Sequence, residues 1–159
     1  MNSEIRQKID NYRKGAGILK ELMEEIPETA WAYKPDADTW SIRQIVHHLA
    51  DSEVFAYIRL RKLIAENGAR LNVFDQYAWA EELKYQEQEP RLALDLYLLL
   101  NRLNADLLSR VPDTVWNTHA AIHPERGSIT LSDWLNMYES HIHTHIGQIR
   151  RTYAQWQGQ

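Results

Sequence analysis

Apolar residues recur at three-four spacing through four long stretches of this sequence, and that period restricts the fold to packed helices. The first stretch carries Ile5, Ile9, Tyr12, Ala16, Leu19, Met23 and Ile26, and it stops at Pro27, which pushes the preceding residue out of helical geometry. Ser41 opens the second, with Gln44 placed to complete a capping box. Ile42, Ile45, Val46, Leu49, Ala56, Leu60 and Leu63 continue it to Asn67-Gly68. The third follows Pro90 with Leu92, Leu96, Leu99, Leu103 and Leu107 as its apolar stripe, and closes before Pro112. The fourth starts after Thr130, has Asp133 at its third position, and runs to about Trp156. Only six glycines and five prolines interrupt 159 residues rich in Leu, Ala, Glu, Arg and Gln. The expected fold is all-α: one four-helix-bundle domain over residues 1–159.

The connections carry their own signals. Residues 68–89 form a long link between the second and third helices, with a short helix expected in "AWAEELKYQ". "WNTHAAIHPERGSITL" reads as extended and turn-rich, a small hairpin before the last helix. "IPETAW" at 26–31 and "VPDTVW" at 111–116 match in residue type at every position, and each follows an amphipathic helix. This repeat suggests two helical hairpins in a pseudo-twofold arrangement.

Several function classes are disfavoured. The absence of cysteine excludes disulfides, thiolate metal sites and a cysteine nucleophile. A net charge of −4 with mixed signs argues against nucleic-acid binding. No apolar run approaches a membrane span, and the polar start "MNSEIRQKIDNYRKG" does not read as a signal peptide, so a cytoplasmic location is expected.

The histidines are the candidate chemistry. In "ESHIHTHIGQIR", His141 and His145 are four residues apart and share one helical face, beside Trp134 and Thr152 at the edge of the stripe Leu131, Leu135, Tyr138, Ile142, Ile149 and Tyr153. His143 points away toward solvent. The i, i+4 spacing lets two imidazoles reach one ion from successive turns, but a third ligand is needed. The second helix offers adjacent His47 and His48, of which at most one can join a given site, and periodicity does not choose between them. His119 and His123 lie in the irregular segment, with His123 expected in a turn before Pro124.

Taken together, "WSIRQIVHHLADSE", "HPERGSITLSDW" and "HIHTHIGQIRR" resemble the DinB/YfiT-like superfamily, in an order and separation that extend over nearly the whole chain. The resemblance implies a four-helix bundle that holds one divalent metal through three histidines, one from the second helix and two from the fourth. It assigns His48, His141 and His145 as metal ligands, with Gln148 following, and it alone selects His48 over His47. Members of the superfamily include metal-dependent transferases that join small thiols to electrophiles, a mycothiol-dependent maleylpyruvate isomerase and proposed hydrolases.

The resemblance therefore implies a metal-dependent thiol S-transferase acting on small electrophiles, with a low-molecular-weight thiol as partner. A hydrolase using metal-bound hydroxide and a non-catalytic metal-binding bundle are the alternatives. Imidazole ligands suit zinc and nickel among several metals. Asp51 and Ser52 are candidates to orient His48, and Glu53, in line with Leu49 and Ala56, is a candidate general base. Val54, Phe55 and Ile58, off the main stripe, suggest a homodimer.

Overall fold

The computed structural model describes residues 3–158. In chain order it contains α1 (Ser3–Glu25), a one-turn α2 (Glu28–Trp31), α3 (Ile42–Ala65), α4 (Gln76–Glu82) and a 3-10 turn at Tyr85–Glu87. Then follow α5 (Pro90–Leu108), α6 (Asp113–Thr118), β1 (Ala120–His123), β2 (Gly127–Thr130) and α7 (Leu131–Gln157). The four long helices form a bundle in which α1 and α3 each pack against both α5 and α7. Among the described residues, no helix is long and apolar enough to cross a membrane.

The helix starts are chemically specified. Ser41 accepts from Gln44 N while its own N–H donates to Gln44 Oε1 at 3.0 Å, and Thr130 and Asp133 reproduce the same capping box at α7. The two similar hexapeptides also fold alike. Pro27 and Pro112 are the N-caps of α2 and α6, which bury Trp31 and Trp116 respectively. The expected short helix appears as α4, and the expected hairpin pairs Ala121 with Ile129, both buried. Leu71 N–H donates to the Ile122 carbonyl at 2.9 Å and Ile122 N–H to the Ala69 carbonyl at 2.8 Å. The long connection is thereby laid along the hairpin.

The expected leucine stripe of α5 is a correction. Leu92, Leu96, Leu99 and Leu103 are exposed, Leu92 to 76%. Tyr97, Asn101, Asn104, Ala105 and Leu108 face the core instead. The reason is a buried polar network. Glu53 of α3 is 3% exposed, and its carboxylate accepts from Tyr12 Oη and, at 2.8 Å, from Asn104 Nδ2. Asn104 Oδ1 in turn accepts from Arg61 Nη1 at 3.0 Å. A buried carboxyl needs such donors, so α5 presents its asparagines inward and its leucines outward. Phe55 also differs from expectation: it stacks on Phe74, with ring centroids 4.5 Å apart, and is covered within the chain.

Burial raises the Glu53 carboxyl to about 7, partly offset by the hydrogen bonds from Tyr12 and Asn104. The folded state therefore holds this proton more tightly than the unfolded state between its ordinary value and about 7. The stability it contributes is present below the unfolded value and is lost as pH rises through about 7. Glu53→Gln, which cannot ionise, serves as the reference. In urea unfolding, wild type should gain roughly 3 kcal/mol relative to Glu53→Gln between pH 8 and 4.5. A difference independent of pH would show that folding does not raise the Glu53 pKa.

Candidate metal centre

Three helical turns supply the centre. His48 lies midway along α3 and is 2% exposed, while His141 and His145 sit on successive turns of α7 and are partly buried. His48 Nε2 is 3.0 Å from His141 Nε2, and His145 Nε2 is 3.1 Å from that same atom. Trp40 and Phe74 flank the His48 ring, at centroid distances of 4.9 and 6.4 Å. The neighbouring histidines are placed elsewhere. His47 stacks on Tyr85 at 5.3 Å, His143 is exposed, and His119 Nδ1 lies 3.2 Å from the Leu63 carbonyl.

The rings are neutral. Burial, then the proximity of His141 and His145, pushes His48 down to about 2; burial, then His145, lowers His141 to about 3. His145 is lowered by burial against the opposing effect of Gln148. Each neutral ring has one N–H and one lone pair to distribute. His145 Nδ1 lies 3.0 Å from Gln148 Oε1, which fixes its proton there and leaves a lone pair on Nε2. If His141 carries its proton on Nε2, it faces two acceptors, and His48 is left with an N–H at Nδ1, which has no partner among protein atoms. If His48 Nε2 donates instead, the lone pairs of His141 and His145 oppose each other.

Without a cation, either the His141 Nε2–H is shared between two acceptors or two lone pairs oppose each other, whereas a shared cation would accept three lone pairs together. The His48 Nδ1–H lacks a protein partner in the first of these arrangements and beside a cation alike. Two nitrogens about 2.0–2.1 Å from one ion, at tetrahedral to right angles, stand roughly 2.9–3.4 Å apart. Two of the three observed separations, 3.0 and 3.1 Å, fall in that range, and all three ligand nitrogens lie within 4.8 Å of one another. The donor set therefore fits a divalent metal, and it is the cluster among the described residues with the spacing for one.

The surroundings differ in part from the sequence expectations. Asp51 is taken up by Tyr85 Oη, so it does not orient His48; Ser52 lies on the cavity wall beside it. Glu53, the candidate general base, is committed to Tyr12 and Asn104 in the bundle interior and does not line this cavity. His123 ends strand β1, is buried, and lines the cavity. Gln148 acts as the orienting partner of His145, a role its i+3 spacing makes possible. Arg59, Arg126 and Tyr138 also line the cavity of about 570 Å³ that opens beside His48 and His141. The sequence carried one signal for Arg59: a cation inside the apolar face of α3, between Ala56 and Leu63.

The chain is similar to known proteins. The chain is 34% identical to a relative from Oceanobacillus iheyensis over 69% of its length and 63% of the relative's. It is 33% identical to YfiT of Bacillus subtilis over 69% and 62%, respectively. Both carry the provisional name of metal-dependent hydrolase, and the matched part spans less than two thirds of either. The solved structure of Bacillus subtilis YfiT, described as having an unusual four-helix bundle topology, superposes with a TM-score of 0.87 at 27% identity. That superposition covers 96% of this chain and 87% of YfiT. The mycothiol-dependent maleylpyruvate isomerase shares the fold at a TM-score of 0.72 and 11% identity, over 91% of this chain and 60% of its own. The family model of the DinB superfamily matches residues 12–149, from the first helix to the turn after His145, and this chain belongs to that superfamily.

Proposed function

We propose that His48, His141 and His145 ligate one divalent metal ion, and that the chain is a metal-dependent enzyme acting on a small molecule in the adjoining cavity. The observation that carries this reading is the convergence of three buried or half-buried imidazoles whose ring nitrogens lie within 4.8 Å of one another, with His141 Nε2 3.0 and 3.1 Å from the other two. When bound, the ion supplies Lewis acidity and lowers the pKa of a water or thiol at its open position. Gln148 holds the His145 tautomer by accepting from Nδ1, and Trp40 and Phe74 screen His48 from bulk water. Zinc and nickel both suit such a nitrogen set.

For the reaction, we favour transfer of a low-molecular-weight thiol to a small electrophile. Hydrolysis is the second reading, favoured by the provisional names of the relatives from Oceanobacillus iheyensis and Bacillus subtilis. The ligand set is tested first. In untagged protein dialysed against a mild chelator, His48→Ala should lower retained metal roughly tenfold or more, while His47→Ala and His143→Ala stay near wild type. Equal losses at His47 and His48 would remove the assignment.

The two reactions are then separated spectroscopically. Addition of a small thiol should change the visible spectrum of the cobalt-substituted protein, and chelation should leave the bundle folded, since its apolar core is independent of the ion. A cobalt spectrum indifferent to thiols, in a protein that cleaves small esters or amides, would establish hydrolysis instead.

We further place self-association, as a homodimer, on the outward leucine row of α5, Leu92, Leu96, Leu99 and Leu103. Light scattering should give a dimer for wild type and a monomer for Leu96→Glu/Leu99→Glu. A wild-type monomer at micromolar concentration would remove this part of the reading.

A further inference from the structure

Arg59 is only 8% exposed, yet no carboxylate pairs with it among the described residues. Its Nε and Nη2 donate to the Asn72 carbonyl, its Nη1 donates to Tyr138 Oη at 3.0 Å, and its guanidinium lies 5.3 Å from the Phe55 ring centroid. A guanidinium has five N–H donors, so two remain uncommitted, and burying an uncompensated cation is unfavourable. The residue lines the same cavity as His48 and His141.

The other groups on that wall are donors as well. The backbone N–H of Glu125 donates to His123 Nδ1 at 3.2 Å, so the neutral His123 ring must carry its proton on Nε2. Burial, then the charges of Arg59 and Arg126, disfavour a second proton on it, against the opposing charge of Glu125. Tyr138 Oη accepts from Arg59, which leaves its own hydrogen free to donate. Arg126 adds a second cation from the hairpin. The acids that line the cavity, Asp75 and Glu125, are both exposed, and Asp75 is engaged in capping α4.

We propose that the substrate of this site carries a carboxylate, held by Arg59, His123, Tyr138 and Arg126 beside the three histidines. This rests on the reading of the histidines as a metal centre for its catalytic meaning, but the anion site stands on the donors alone. Two free N–H groups on one planar guanidinium match the two oxygens of a carboxylate, and an anion supplies the charge that Arg59 lacks. The substrate's reacting end would then project toward His48 and His141, with its acid end fixed on Arg59.

Isothermal titration of succinate, its neutral diamide and inorganic phosphate into the full chain tests this, both as purified and after EDTA treatment. Succinate should bind at least roughly tenfold more tightly than the diamide. Arg59→Gln should weaken succinate by about ten- to hundredfold. Arg126→Gln, on the exposed hairpin and unable to disturb the Asn72 contact, should weaken it by about threefold or more, with helix content and metal content unchanged. The proposal is overturned if the diamide binds as well as succinate, if phosphate is preferred, or if Arg126→Gln binds succinate like wild type. Should EDTA-treated protein keep the arginine-dependent affinity while no metal is ever retained, the anion site stands and the metal reading alone falls.

Discussion

The close approach of α1 and α7 at Gly15 governs how everything else is arranged. A Cβ on Gly15 would stand 2.8 Å from Ile142 Cγ2, so the absence of a side chain is what seats Ile142 in the interface. Ile142 follows His141 directly on the helix, and one residue corresponds to about 100° of rotation. With Ile142 turned to α1, His141 and His145 are turned to α3, where His48 waits. A larger residue at position 15 would shift α7 and spread the imidazole nitrogens, which tolerate little displacement if they are to share one ion.

Desolvation then acts on two groups of titratable side chains with opposite consequences. Burial disfavours charge, so it raises Glu53 to about 7 and lowers the histidines. Glu53 accepts from Tyr12 and Asn104 in a network inside the bundle. The deprotonated imidazoles have no such closure. At most one N–H can stand among their three converging nitrogens without a clash, so at least two lone pairs point into the same space, which suits a cation. The same low dielectric thus makes one polar cluster structural and leaves the other open to a ligand.

Much of this could be read from the sequence because it is encoded locally. Ser41 with Gln44 and Thr130 with Asp133 mark helix starts by short-range hydrogen bonds, and Pro27, Pro90 and Pro112 act on adjacent backbone. The spacing of His141 and His145 follows from helical geometry alone. What failed depends on tertiary partners. The leucine period of α5 pointed to the wrong face, since the face that is buried carries Asn101 and Asn104 for a partner on another helix. Periodicity could not separate His47 from His48, because both are buried and only the position of α7 distinguishes them. Glu53 was rightly placed among apolar residues, but only the fold reveals that Tyr12 and Asn104 both donate to its Oε1.

The cavity wall shows how an irregular connection can be made part of a rigid site. The segment after α3 has no helical ladder to fix it, yet its backbone is held at several points. Leu71 pairs with Ile122 of the hairpin, and the Asn72 carbonyl accepts two donors from Arg59. Arg59 therefore ties the connection to the bundle with one side of its guanidinium and borders the cavity with the remainder. Phe74, two residues beyond Asn72, stacks on Phe55 and flanks His48. The same short segment therefore carries both the carbonyl that holds Arg59 and the ring that flanks the histidine. The buried arginine that charges the cavity wall is thus also a packing element of the segment that flanks His48.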